Sequence, residues 1–168
     1  GLAGMPPAAV AGVVEEVATL TCRPFGANFL IPFLHHDAVA AAASGSTRVV
    51  EFFYGQPDAE LVTLVHDAGT LASWQVGSVD EARAAADVGC DLVVAQGVEA
   101  GGHVRGRVEL FPLLEQVLNA VTVPVVAAGG LGTAANAKGR RNHLRRHARS
   151  TESTVRLRPG TLDLQVHD

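Results

Sequence analysis

Cysteine is scarce. Cys22 and Cys90 are the only two in 168 residues, too few for a disulfide framework or a four-ligand zinc site. Their apolar neighbours predict buried, reduced thiols and a cytoplasmic protein. Long hydrophobic runs are missing as well: no window approaches the roughly 18 uninterrupted apolar residues of a membrane span. Nor does a basic stretch followed by an apolar one open the chain, so neither a membrane nor a secreted protein is expected. Aromatic residues make up only 5% of the chain and charged residues 18%, and the latter are unevenly spread. The 18 glycines and 8 prolines lack a period, which excludes collagen-like and low-complexity classes. What is plentiful is aliphatic. A hydrophobic share of 48% and a mean hydropathy of +0.22 can supply one globular core.

The net charge of −4 conceals an asymmetry. Residues 1–138 carry 6 Lys and Arg against 14 Asp and Glu, whereas residues 139–168 carry 7 against 3. The expected organisation is a body over 1–138 and an atypical Arg-rich tail over 139–168 that packs poorly, since it has no sustained apolar face. Five of its arginines fall between Arg140 and Arg149. Neither a recognition motif nor interleaved aromatics accompany them, so no nucleic-acid partner is expected.

Through the body, short apolar runs alternate with alanine-rich amphipathic ones. Strands are expected near 25–30, 49–54, 71–76, 92–96 and 123–128, and helices over 8–20, 37–43, 58–67, 79–88 and 110–121, with a further helix starting at Thr133. Ser78 and Glu81 form a capping box for the helix at 79. Within the tail, Val155 to Arg158 alternates as a brief edge strand would, and Pro159 ends it. Nearly continuous apolar strands separated by helices denote a parallel sheet covered on both faces. The class is α/β; periodicity leaves a (β/α)8 barrel and a doubly wound sheet both open.

Two glycine-rich loops follow strands where such folds place their chemistry. The first, Gln96-Gly97-Val98-Glu99-Ala100-Gly101-Gly102-His103, combines glycines that admit close approach of a flat ligand with an imidazole, which titrates near neutrality. Glu99 could serve as a base, but in such a loop a structural or exposed role is expected. The second, Gly129-Gly130-Leu131-Gly132, lies between a strand and a helix start, where backbone amides bind phosphate. The adjacent His35 and His36 do not converge on a metal, and none is expected. Trp74 and the run Phe52-Phe53-Tyr54 read as core.

Together these segments resemble the FMN-dependent nitronate monooxygenases, formerly called 2-nitropropane dioxygenases. The resemblance rests on AQGVEAGGHVRG (95–106) and PVVAAGGLGTAANAK (124–138), and more weakly on PFGANFLIP (24–32) and WQVGSVDEA (74–82). It implies a (β/α)8 TIM barrel and the flavin FMN, with His103 catalytic and Gly129 and Gly130 holding the FMN phosphate. Asn28, Gln75, Gln96 and Gly97, with Gly101 and Gly102 beside them, would contact the rest of the flavin. The substrates implied are an alkyl nitronate, or a nitroalkane, and oxygen.

The chain also departs from that family. The opening Ala-Pro-Met strand, the Gly-rich second strand and the eighth strand with its Val-Gly-Thr phosphate contact are lacking. A partial barrel is therefore expected, with impaired activity and with open sheet edges that favour self-association. Two alternatives accompany this expectation: a flavin-dependent enoyl-acyl-carrier-protein reductase, which has a similar EAGGH loop, and an inactive fragment.

Overall fold

The structure, a computed structural model, describes residues 2–131 and two strands further along, Ser153–Arg158 and Thr161–Val166. It divides into two compact units, one formed by residues 1–75 and 87–91, the other by residues 76–86 and those from 92 onward.

The first unit opens with helix α1 (Pro7–Leu20), where Pro7 sits in the first turn and sacrifices an amide that would have had no helical partner. Strand β1 (Gly26–Leu30), a short 3-10 turn at Ile31–Phe33 and helix α2 (His36–Ala43) follow. Next come β2 (Val49–Phe53), helix α3 (Ala59–Asp67) and β3 (Leu71–Val76), whose last residue falls in the second unit. The Asp58 carboxylate starts α3 by accepting from the Glu60 amide at 2.8 Å, and Gly69, at φ +73°, follows its end. The three strands pair in parallel and in chain order. Val10, Phe29, Val39, Val50, Phe52, Val65 and Trp74 are fully buried between sheet and helices. The Trp74 indole packs on Phe52, with ring centroids 5.0 Å apart, and donates to the Gly55 carbonyl at 3.2 Å. Trp74 is thus core, as expected. Tyr54 is not: it leaves the strand at φ +71° and is exposed.

The second unit contains helix α4 (Val79–Asp87) except its last residue, β4 (Leu92–Gln96), helix α5 (Leu110–Leu118) and β5 (Val125–Ala128). Strands β4 and β5 are parallel, from Val93 opposite Val125 to Gln96 opposite Ala128. Helix α5 buries Leu110, Leu113, Leu114 and Val117, spaced three and four apart as one apolar stripe requires. Strands β6 (Ser153–Arg158) and β7 (Thr161–Val166) pair antiparallel. Within each unit, successive parallel strands neighbour one another without the reversal of order that marks a doubly wound sheet. The molecule is α/β, a partial (β/α)8 barrel.

Several sequence expectations shift. Helix α5 stops at Leu118 rather than 121. Strand β5 starts at Val125 rather than 123, because Pro124 has no amide to contribute to a ladder and offers only its carbonyl, which accepts from Val93 at 3.0 Å. The edge strand expected near 155–158 is β6. Both thiols were expected to be buried, but Cys22, just past the end of α1, is exposed. Cys90 is buried, and its thiol is pushed up to about 12 by desolvation and the neighbouring Asp91 charge, so it stays protonated at neutral pH. The helix start at Thr133 and the arginines between 140 and 149 lie outside the described residues. Among the described residues, no helix is long and apolar enough to cross a membrane.

Candidate active site

In the second unit the two glycine-rich loops meet. Strands β4 and β5 end opposite one another, and the Gly97 amide donates to the Ala128 carbonyl at 3.0 Å, so both loops leave the sheet side by side. Immediately beyond, the chain turns as the Ala100 amide donates to the Gly97 carbonyl at 3.1 Å. Gly129 packs against this turn. A Cβ there would stand 3.0 Å from the Ala100 nitrogen and 3.2 Å from the Gly97 oxygen. Its φ of +109°, with +63° at Gly130, is backbone that L side chains rarely adopt. A Cβ on Gly130 would lie 3.1 Å from that of Glu99. Motifs some thirty residues apart in sequence are thus one surface.

Glu99 has a structural task. Its Oε2 accepts from the Leu110 amide at 2.9 Å, which satisfies an otherwise unpaired donor at the start of α5, where Glu109 offers no side-chain cap. Gly97 lies under this bond. A Cβ on Gly97 would collide with the Glu99 carboxylate and the Leu110 backbone. Only glycine lets strand end, carboxylate and helix start converge.

Gln96, 6% exposed, is the most telling residue of the surface. Its Nε2 donates to the His103 carbonyl at 3.0 Å, and this fixes which end of the amide is nitrogen. Among the described residues its buried Oε1 has no hydrogen-bond partner. An acceptor stranded in this way costs about 1 to 3 kcal/mol until a donor reaches it. A flavin carries such donors in its ring N–H and its ribityl hydroxyls. Nearby, Gly101 and Gly102 are exposed, and a Cβ on either would meet none of the described residues within 4 Å. The residues present therefore fit a flat, polar-edged group such as a flavin.

Asn28 and Gln75 belong to the first unit. Asn28, Glu51 and Ser73 stand opposite one another across β1, β2 and β3, so they share one face of the sheet, and Gln75 is on the same face two residues beyond Ser73. Asn28 Nδ2 donates to Glu51 Oε1 at 2.9 Å, while the buried Ser73 hydroxyl has no hydrogen-bond partner among the described residues. Sequence reasoning passed over both Glu51 and Ser73, although one carboxylate in the apolar strand VVEFFY was a usable signal. Burial raises the Glu51 carboxyl above its ordinary 4.5, opposed in part by the Asn28 bond.

That shift has a testable sign. The native state holds the Glu51 proton more tightly than the unfolded chain, so this group's contribution is fully present below about pH 4.5 and is lost as pH rises through the folded value. Glu51→Gln keeps an acceptor for Asn28 and removes the charge. It is expected to stabilise the protein at pH 7, with the gain vanishing near pH 4, as read from urea midpoints at the two pH values.

The family model for nitronate monooxygenase matches residues 35–139. The chain is similar to a (3aS,4S,5R,7aS)-5-hydroxy-7a-methyl-1-oxo-octahydro-1H-indene-4-carboxyl-CoA dehydrogenase of Rhodococcus jostii, 37% identical over 70% of this chain and 33% of that protein. It is also similar to a probable nitronate monooxygenase of Staphylococcus haemolyticus, 37% identical over 70% of this chain and 46% of that protein. Among solved structures, a nitroalkane oxidase from Streptomyces ansochromogenes superposes with a TM-score of 0.74 at 27% identity, over 83% of this chain and 53% of that one. The chain spans between a third and a half of the length of these two curated relatives.

Proposed function

This chain belongs to the nitronate monooxygenase family, and from that premise we propose that it serves an FMN-dependent oxidation of alkyl nitronates by molecular oxygen, extending to nitroalkanes once their α-proton is removed. The observation that carries this is the buried, unpartnered Gln96 Oε1, on a side chain that also holds the His103 backbone. When bound, FMN supplies the electron transfer between the organic substrate and oxygen. Gln96 would give the flavin an acceptor, the Gly97 backbone would border it, and Gly101 and Gly102 would let its plane approach the chain. Gly129 and Gly130 would hold its phosphate.

His103 takes the chemical role that the loop offers. A nitronate is already deprotonated and needs only orientation, whereas a neutral nitroalkane must first lose the proton on the carbon bearing the nitro group. A ring nitrogen of His103 would accept that proton, the task for which imidazole suits neutral pH.

The experiment is to mix the purified chain with FMN, remove unbound flavin, record the visible spectrum and then follow oxygen uptake with propionate 3-nitronate. A stoichiometric band near about 450 nm, where oxidised flavins absorb, and oxygen uptake without nicotinamide are expected. Failure to retain flavin would overturn the proposal. So would nicotinamide oxidation that depends on an enoyl thioester, which would instead favour the reductase alternative.

A further inference from the structure

The loop bearing His103 is held at two points. On the strand side, Gln96 Nε2 donates to its carbonyl. On the far side, Arg105 Nε meets Glu81 Oε1 at 2.6 Å, the two side chains being only 26% and 14% exposed. Just ahead of these points, a Cβ on Gly101 or Gly102 would meet no described residue within 4 Å. With no packing on that side, the segment around His103 takes its geometry from its anchors.

Glu81 is itself fixed before it reaches Arg105. Its amide donates to Ser78 Oγ at 3.2 Å, and its Oε2 accepts from the Gly77 amide at 2.8 Å. The expected capping box is therefore present but displaced by one residue, since its carboxylate returns to Gly77 rather than to Ser78. The displacement leaves Oε1 for Arg105. Backbone contact completes the junction: a Cβ on Gly106 would lie 2.7 Å from the Gly77 oxygen, and one on Gly77 2.6 Å from the Gly106 nitrogen. The helix supplies its own contrast, because Arg83 and Asp80 lie 3.8 Å apart with side chains 59% and 97% exposed. That second pair is screened by water and holds nothing in place.

We propose that Arg105 is a positioning residue for His103, its ion pair with Glu81 at the start of α4 fixing the loop through which the imidazole acts. Its relevance to catalysis rests on the function proposed above; its mechanical part does not. The pair joins WQVGSVDEA to the VRG after His103, segments that sequence inspection could only treat separately. A guanidinium suits the task because its planar, always charged donors meet a carboxylate in a defined direction.

The test uses the full chain with Arg105→Ala, Arg105→Lys and Glu81→Gln, read first by amide hydrogen exchange without flavin or substrate. Exchange over residues 102–106 is expected to rise about tenfold or more in Arg105→Ala and in Glu81→Gln, while β4 and α4 keep their protection. Arg105→Lys should restore most of the protection. Unchanged exchange in the loop would overturn the proposal, as would a uniform rise through β4 and α4, which is the mark of a merely structural pair. In the FMN-loaded protein, Arg105→Ala should lower the ratio of nitroalkane to nitronate turnover at least fivefold, and an unchanged ratio would overturn the action through His103. If the unsubstituted chain takes up no oxygen, the proposed function fails, and the exchange experiment still decides the anchoring.

Discussion

Replacing His103 by alanine is expected to lower turnover of a neutral nitroalkane by about 10²- to 10⁴-fold, the usual range for loss of a positioned general base. The preformed nitronate should be spared, since its carbon has already lost the proton. His103 sits in a loop whose backbone is held by Gln96 on one side and whose Arg105 is paired with Glu81 on the other, so truncating the imidazole leaves the loop anchored. Parallel oxygen-uptake assays with a nitroalkane and its nitronate, on protein of equal flavin content, separate the two effects. Equal losses on both substrates, or negligible ones, would remove His103 from proton transfer.

Gly97→Ala should be a strongly damaging small substitution in the same unit, costing about 3 kcal/mol or more. Overpacking alone costs about 1 to 3 kcal/mol, and a disturbed helix start adds about 0.5 to 2 kcal/mol. The added methyl would press on the Leu110 backbone and on the carboxylate that caps it. A backbone cannot rotate aside as a side chain can. Gly101→Ala is the matched control, because its Cβ would meet nothing within 4 Å, and it should change stability by less than about 0.5 kcal/mol. Urea unfolding of both variants tests the pair of predictions, and similar midpoints would show that convergence at Gly97 is not what demands glycine.

Much of the fold was legible because it is written locally. The apolar runs that become β3 and β4, the Asp58 start of α3 and the Ser78 bond to Glu81 depend on residues within a few positions of one another. Boundaries were less secure where a proline or a left-handed residue intervened, as at Pro124 and Tyr54. Cys22 shows a different limit: apolar neighbours in sequence did not bury it, because burial depends on what packs against the end of α1.

For the site, sequence alone determined which residue types were present and in what order: a histidine after a run of glycines, a second glycine pair after an apolar strand, and the long motif that carries the family resemblance. Tertiary structure decided their partners. Gln96 could have pointed anywhere until β4 and the loop brought it under the His103 carbonyl and left its oxygen unpaired. Glu99 found its structural task at the start of α5, Glu51 became a half-buried partner of Asn28, and Arg105 found Glu81 across more than twenty residues. The physical reason is that hydrogen bonds and ion pairs of this kind act over about 3 Å in space, with no regard for distance along the chain, so their partners exist only once the strands have set the register.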